Sequence, residues 1–419
     1  MVGEEERDLA ALVVARVGSL EETGDPWDPY RLLGPDGVAV GPVGAYLKEL
    51  QAAGRSAATQ RSYGMDLMRW FRFLWAVEVS WEQATRIEAR DFSRWVQIGG
   101  KPTARHWRRA AVSAPQVPVL AAASPPNPVT GKAAPGPKYA PATAAHGESV
   151  LRGFYDFHVD AGTGPMVNPF PLVRERRRGR VGAHHNPMEP HRNERVGRYR
   201  PKLVQRPPRC IPDEQFNALF ARLGSHRNRA LVAFWVSTGA RASELLGVHG
   251  GDVDVGRQLI TVIRKGTQAM QQLPASPDAF VWLRFYQAEL HDGVLAGRDE
   301  PVWWTLRRPL RPLTYHAAYR MFTRVNAALG SNWTLHDLRH TAAYRMARDP
   351  DMPLTDVQWI LGHAQLTTTQ IYVSAPLDEA IASILAHHAR RGQAPPDRAG
   401  QALTYRADSL DVLFGKDRW

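Results

Sequence analysis

The sequence predicts a mainly α protein with a small antiparallel β-sheet, divided into a helical N-terminal domain and an α+β C-terminal domain. Three observations predict it. Apolar residues recur at three- and four-residue spacing through most of the 419 residues, the mark of amphipathic helices. The β-branched run Leu259-Ile260-Thr261-Val262-Ile263 and the stretch Met270 to Pro274 flank Lys265-Gly266-Thr267, which reads as a hairpin. Two segments of biased composition, at about 101–140 and 174–209, interrupt the periodic pattern where loops and linkers belong.

Residues 1–41 mix acidic residues, glycine and proline with one apolar stretch, Leu9 to Val17, and predict a weakly structured arm with room for one short helix. A helical domain follows over 42–172. Val43, Tyr46, Leu47 and Leu50 share one helix face, with Gly54 as a stop. A second helix, at about 57–76, turns Tyr63, Leu67, Trp70, Phe71 and Leu74 inward and leaves Arg61, Arg69 and Arg72 on other faces. Those arginines are either ordinary surface charge or contacts to a polyanion. Helices at about 88–98 (Phe92, Trp95, Val96) and 142–160 (Val150, Leu151, Phe154, Tyr155, Phe157) complete the domain. Between them, residues 101–140 hold eight prolines, ten alanines and no acidic residue, which predicts a flexible basic insertion.

Residues 173–210 read as a basic interdomain linker: positions 174–209 carry twelve Lys/Arg against three Asp/Glu, densest at Arg176, Arg177 and Arg178. Such a strap is either a solvated tether or a means of neutralising phosphates. Without cysteines or paired carboxylates nearby, His184, His185 and His191 read as surface histidines. A mixed domain spans 211–392, with helices at about 212–223, 226–239, 277–291, 313–329, 336–348, 354–361, 366–372 and 377–391 around the hairpin. The tail, 393–419, is a proline- and glycine-containing break followed by a docking helix whose Leu410, Leu413 and Phe414 share a face. Its partner is either its own domain or a neighbouring protomer.

Composition narrows the function. A formal net charge of +12 points to nucleic acid or an anionic membrane. No apolar run reaches the roughly 18 residues of a membrane span, and the acidic N-terminus carries no signal-peptide pattern, so a cytoplasmic protein without a membrane partner is expected. The single cysteine, Cys210, excludes an intrachain disulfide and a cysteine-rich zinc site. Of 53 basic residues 46 are arginine, and between Lys202 and Lys416 the only lysine is Lys265.

Breaking a phosphodiester without a metal needs fixed cations on the nonbridging oxygens, a nucleophile for phosphorus and a proton for the departing sugar oxygen. Arginine suits the first role because its planar fork stays charged. It holds its proton too tightly for the last role, which lysine or histidine can fill. The C-terminal domain contains these parts. Thr238-Gly239-Ala240-Arg241-Ala242-Ser243-Glu244-Leu245 sets an arginine just after an apolar helix and a glycine. Leu335-His336-Asp337-Leu338-Arg339-His340-Thr341 sets His336 and Arg339 one helical turn apart. Leu361-Gly362-His363 then precedes Thr367-Thr368-Thr369-Gln370-Ile371-Tyr372.

In these words the chain resembles the tyrosine recombinases, a family of lambda-type integrases, Xer-type resolvases and Cre, whose pattern is Arg, Lys, His-x-x-Arg, His/Trp and Tyr. Lys265 follows Arg241 by 24 positions and Tyr372 follows His363 by nine, as in Xer-like members. The likeness is strong over about 211–390 and loose over 43–170. It implies a SAM-like core-binding N-terminal domain, a tyrosine recombinase catalytic domain, and a site-specific recombinase acting on double-stranded DNA through a covalent 3′-phosphotyrosine at Tyr372. Arg241 and Arg339 would clamp the phosphate, His336 would manage the tyrosine proton, His363 would add a contact and Lys265 would protonate the 5′ oxygen. No cofactor and no metal is implied; a homo-oligomer on DNA, dimeric at each site and tetrameric in synapsis, is, as is a nucleoid-associated location. Glu244 reads equally as an orienter of Arg241 or a surface carboxylate, and His340 as structural support. One departure is Ser374, where many relatives carry histidine two residues after the nucleophile. A type IB topoisomerase and a non-catalytic DNA-binding accessory protein are the alternative readings.

Overall fold

The computed structural model describes residues 7–100, 125–133, 136–173, 196–203, 208–290, 297–373 and 377–392. They fall into two units, residues 1–126 with 131–205 and residues 127–130 with 206–419.

The first unit opens on an antiparallel hairpin, β1 (Ser19–Glu22) and β2 (Tyr30–Leu33), with Leu20 opposite Leu32. The sequence predicts a loose arm with a short helix here, and the structure differs. Residues Leu9–Val17 form no helix, and Leu32 joins the core at 1% exposure. Strands of four residues are too short for their alternation to stand out from a loop. Four helices follow: α1 (Gly41–Ala52), α2 (Ala57–Ala76), α3 (Arg86–Ile98) and α4 (Pro141–Asp160). The α2 start is capped by Ser56 and that of α3 by a Thr85–Glu88 capping box; α1 and α4 have proline in their first turn, where no amide partner is needed. Trp70 centres the core with Phe92 and Phe170 edge-on to it, and its indole N–H donates to the Tyr155 hydroxyl at 2.9 Å.

The second unit begins with α5 (Asp213–Ala221), α6 (His226–Thr238) and the short α7 (Ala242–Leu246). A three-stranded antiparallel sheet follows, β3 (Val253–Asp254), β4 (Leu259–Ile263) and β5 (Met270–Pro274), in the order β3-β4-β5. Ile260 pairs with Leu273 and Val262 with Gln271; Ile260, Val262 and Leu273 are buried while Ile263 and Met270 face out. Then come α8 (Pro277–Glu289), α9 (Tyr315–Leu329), α10 (Leu335–Ala347), α11 (Leu354–Leu361), α12 (Leu366–Gln370) and α13 (Leu377–Gly392). Buried Trp235 and Phe234 of α6 pack with Trp303, Leu283 of α8 and Leu338 of α10 in one core. The hairpin and the helices predicted over 211–392 are all present. Strand β3 and helix α7 are not legible in the sequence, because elements of two and five residues carry no readable period. Most of the Pro/Ala-rich insertion, most of the basic linker with Arg176, Arg177, Arg178 and its three histidines, Ser374 and the tail helix lie outside the described residues. No helix among the described residues is long and apolar enough to cross a membrane.

Candidate active site

Four of the six predicted catalytic residues lie where helices of the second unit end or begin, Arg339 lies in the second turn of α10, and Lys265 lies on the turn between β4 and β5. Helix α6 stops at Gly239, where φ is +63° and a Cβ would stand 2.8 Å from Leu361 Cδ2. That sharp stop delivers Arg241 to the N-cap of α7. Its guanidinium donates to Glu244 Oε1 at 2.8 Å, and its backbone N–H to Glu244 Oε2 at 2.9 Å.

Glu244 is 4% exposed and gathers further donors: the Lys265 backbone N–H at 3.0 Å and the Arg264 guanidinium at 3.0 Å. Burial alone would raise its carboxyl. The amides of Lys265 and Arg241 and the two guanidinium groups outweigh that and bring its pKa down to about 2. Of the two readings the sequence left open, the orienter of Arg241 is what the geometry supports. The same carboxylate also ties the Lys265 turn to α7.

Helix α10, started by a Thr334–Asp337 capping box, carries His336, Arg339 and His340. Arg339 is 3% exposed and donates to the Gly239 carbonyl at 2.6 Å, the Leu361 carbonyl at 2.6 Å and Nε2 of His363 at 3.1 Å. Burial, followed by the charge of Arg241, lowers its pKa to about 10, so it stays charged at neutral pH. His363 follows Gly362, the left-handed cap of α11, and its Nδ1 pairs with Thr369 Oγ1 at 3.0 Å. Burial and then Arg339 and Arg241 lower the His363 pKa to about 4. It is therefore neutral at pH 7, with Nδ1–H donating to Thr369 and Nε2 accepting from Arg339.

Tyr372 follows α12 and is 5% exposed, its ring stacked on His363 at 6.3 Å between centroids. Its hydroxyl meets Nδ1 of His340 at 2.7 Å, and the rings of His340 and His336 lie 4.3 Å apart. Burial, then His336, lowers the His340 pKa to about 4, while burial raises the phenol's. His336 is lowered by burial, then by Arg339. Two guanidinium groups, three neutral imidazoles and one phenol thus converge, which is what a metal-independent phosphate site needs. Among the described residues no cluster of histidine, cysteine and carboxylate side chains is able to hold a metal ion.

The residues 210–377 match the family model described as phage integrase family, and residues 43–114 match that of the phage integrase N-terminal SAM-like domain. The chain belongs to the phage integrase family. Among curated members it is similar to the tyrosine recombinase XerD of Neisseria meningitidis serogroup B, 28% identical over 196 residues, covering 45% of this chain and 66% of that one. It is similar also to XerC of Chlamydia caviae, 31% identical over 180 residues, covering 41% of this chain and 56% of that one. The chain thus spans somewhat under two thirds of the length of these relatives. In fold it resembles the Tn1549 transposon integrase solved with transposon right end DNA, at 15% identity and TM-score 0.52 over 83% of this chain and 99% of that one. A lambda integrase dimer bound to a core site matches at 17% identity and TM-score 0.51, over 78% and 95%.

Of the N-terminal arginines, Arg61 is exposed on α2. Arg69 pairs with Asp66 at 2.6 Å and lies over the Tyr139 ring, and Arg72 donates to the carbonyls of Val17 at 2.7 Å and Gly18 at 2.9 Å. The donors of Arg72 therefore hold the N-terminal segment against α2. Two features are not foreseen from the sequence. One is the contact between His340 and Tyr372. The other is an open groove of roughly 900 Å³ lined by Arg222, Arg227, Arg307, His316, Arg320 and Arg324 and by no carboxylate. His316, Arg320 and Arg324 stand four residues apart on α9, a stripe that helical spacing could have revealed.

Proposed function

We propose that this integrase-family protein is a site-specific recombinase that cleaves and rejoins double-stranded DNA through a 3′-phosphotyrosine at Tyr372. The observation that carries the reading is the convergence of Arg339, His363 and the His336–His340 pair on a single buried tyrosine, with the charge of Arg241 beside Arg339 and His363. In the forward step the Tyr372 oxygen attacks phosphorus, the bond to the 5′ oxygen breaks, and the phenolic proton passes to the His336–His340 pair. Lys265 supplies the proton that the departing 5′ oxygen takes up. Arg241 and Arg339 stabilise the charge on the nonbridging oxygens, where a fixed donor in a dry site is worth most. Rejoining reverses these transfers.

The groove on α9 and the exposed Arg61 extend the reading to the DNA backbone. The groove adjoins the N-terminal end of α6, and Arg241 lies past the other end of that helix, which is about 20 Å long at 1.5 Å per residue. That length equals several base pairs of a duplex. Arg176, Arg177 and Arg178 of the linker are proposed to neutralise phosphates as well. Each protomer has one nucleophile, and exchange between two duplexes cuts four strands, so we propose a dimer at each site and a tetramer in synapsis. Integration or excision of a mobile element is the setting proposed, in a nucleoid-associated protein.

A suicide substrate, nicked so that the cleaved strand loses its 5′ end by diffusion, tests the reading. Covalent adduct and strand exchange are expected. Adduct without exchange would favour a nicking-closing enzyme, and binding without adduct would refute catalysis.

A further inference from the structure

Most of the turn between β4 and β5 stands free. Lys265 is exposed, Gly266 (φ +104°) has open space around it, and Ile263 on the other side of Arg264 is 55% exposed. Arg264 itself is 4% exposed, and each of its guanidinium nitrogens has a partner. Nε donates to Gln271 Oε1 at 2.6 Å, Nη1 to Glu244 Oε2 at 3.0 Å and Nη2 to the Ile360 carbonyl. Its main chain closes the turn, donating to the Ala269 carbonyl at 2.9 Å and accepting from Gln268 at 3.0 Å.

The three partners belong to three different elements. Glu244 is the carboxylate that holds Arg241 and the Lys265 amide. Gln271, on β5, passes the link on by donating to the Trp359 carbonyl at 2.7 Å. Ile360 lies in the last turn of α11, whose cap Gly362 would set a Cβ 3.1 Å from Arg264 Nε. With Arg339 on the Leu361 carbonyl, three successive carbonyls of that helix end are taken by side chains from β5, from the turn and from α10. The positive end groups suit the negative pole of the helix. A buried guanidinium is costly unless it is hydrogen-bonded, and here each of its nitrogens bonds to a part of the site that must keep register.

We infer that Arg264 is a positioning residue for Lys265: its fork pins the inner end of the exposed turn to Glu244 and to the end of α11, and so sets where the Lys265 ammonium stands relative to the phosphate clamp. The inference rests on the proposed role of Lys265 as proton donor. Proton transfer requires the donor within hydrogen-bond reach of the leaving oxygen, and a turn released at its base samples that position less often.

The experiment compares single-turnover cleavage of an ordinary suicide substrate with one carrying sulfur at the 5′-bridging position, whose leaving group needs no proton. Arg264→Met should slow the oxygen substrate by roughly 10- to 100-fold, less than the ~10²–10⁴ expected for losing the acid itself. The sulfur substrate should be cleaved within about threefold of the unmodified protein's rate, and the Arg264→Met/Lys265→Ala double variant should be no slower than Lys265→Ala alone, as for groups acting as a unit. Arg264→Lys keeps the charge beside Glu244 but not the fork, and should give the same substrate-selective defect if the methionine variant fails to fold. If sulfur rescues Lys265→Ala but neither Arg264 variant, or if both Arg264 variants cleave at the normal rate, the positioning role is wrong. If sulfur fails to rescue Lys265→Ala, the proton-donor reading itself falls and the inference with it.

Discussion

The hydroxyl of Tyr372 and Nδ1 of His340 share a hydrogen bond at 2.7 Å, a contact across 32 residues of sequence. The two proton affinities set the protonation state of the pair. Burial and His336 bring the imidazole down to about 4 and burial raises the phenol, so at pH 7 both groups are neutral, and in the Nε2–H tautomer of His340 its Nδ1 accepts from the phenol. The Tyr372 phenol, the proposed nucleophile, is thus protonated beside a neutral imidazole, with the charge of Arg339 favouring its ionised form from nearby.

Tyr372→Phe should bind DNA with unchanged affinity and form no covalent adduct, because the missing oxygen is the proposed nucleophile and contributes little to binding. Mobility shift together with denaturing electrophoresis of a labelled suicide substrate reads both quantities. An adduct in this variant would move the nucleophile to another residue.

His340→Leu leaves a buried hydroxyl without an acceptor and should destabilise the protein by about 1–3 kcal/mol. Adding Tyr372→Phe removes the stranded donor, so the double variant should be destabilised by less than the sum of the two single effects. Urea unfolding of the four proteins measures the difference, and strict additivity would mean that the bond contributes nothing.

Glu244 should dominate the acid limb of stability. Its folded pKa of about 2 lies below the ordinary 4.5, so its contribution is complete above pH 4.5 and declines as pH falls toward 2. The shift corresponds to about 3 kcal/mol. Glu244→Gln should be less stable at pH 7 and should show a flatter decline between pH 4.5 and 2, measured by denaturant midpoints across that range. A parallel decline in both proteins would exclude this linkage.

Arg320→Ala and Arg324→Ala together should flatten the salt dependence of DNA binding by up to about 1.8 in the log-log slope, near 0.9 for each phosphate no longer neutralised. Titrations at several salt concentrations give the slope. An unchanged slope would mean that DNA does not enter the groove.

What the sequence determined by itself was set by local spacing and residue type. Helical periods marked α2, α6 and α10, the run from Leu259 to Pro274 marked the hairpin, and the order Arg241, Lys265, His336, Arg339, His363, Tyr372 marked the candidate chemistry. The hairpin at Ser19–Leu33 escaped notice because four-residue strands carry too little period to read. Tertiary structure alone decided which side chains hold the site in register. Arg264 reaches a carbonyl 96 positions away, His340 meets Tyr372, and Arg72 directs its donors to Val17 and Gly18. Such pairings depend on how helix ends and a turn converge after the core has packed, and residues distant in sequence become partners only when burial removes water as the competing one.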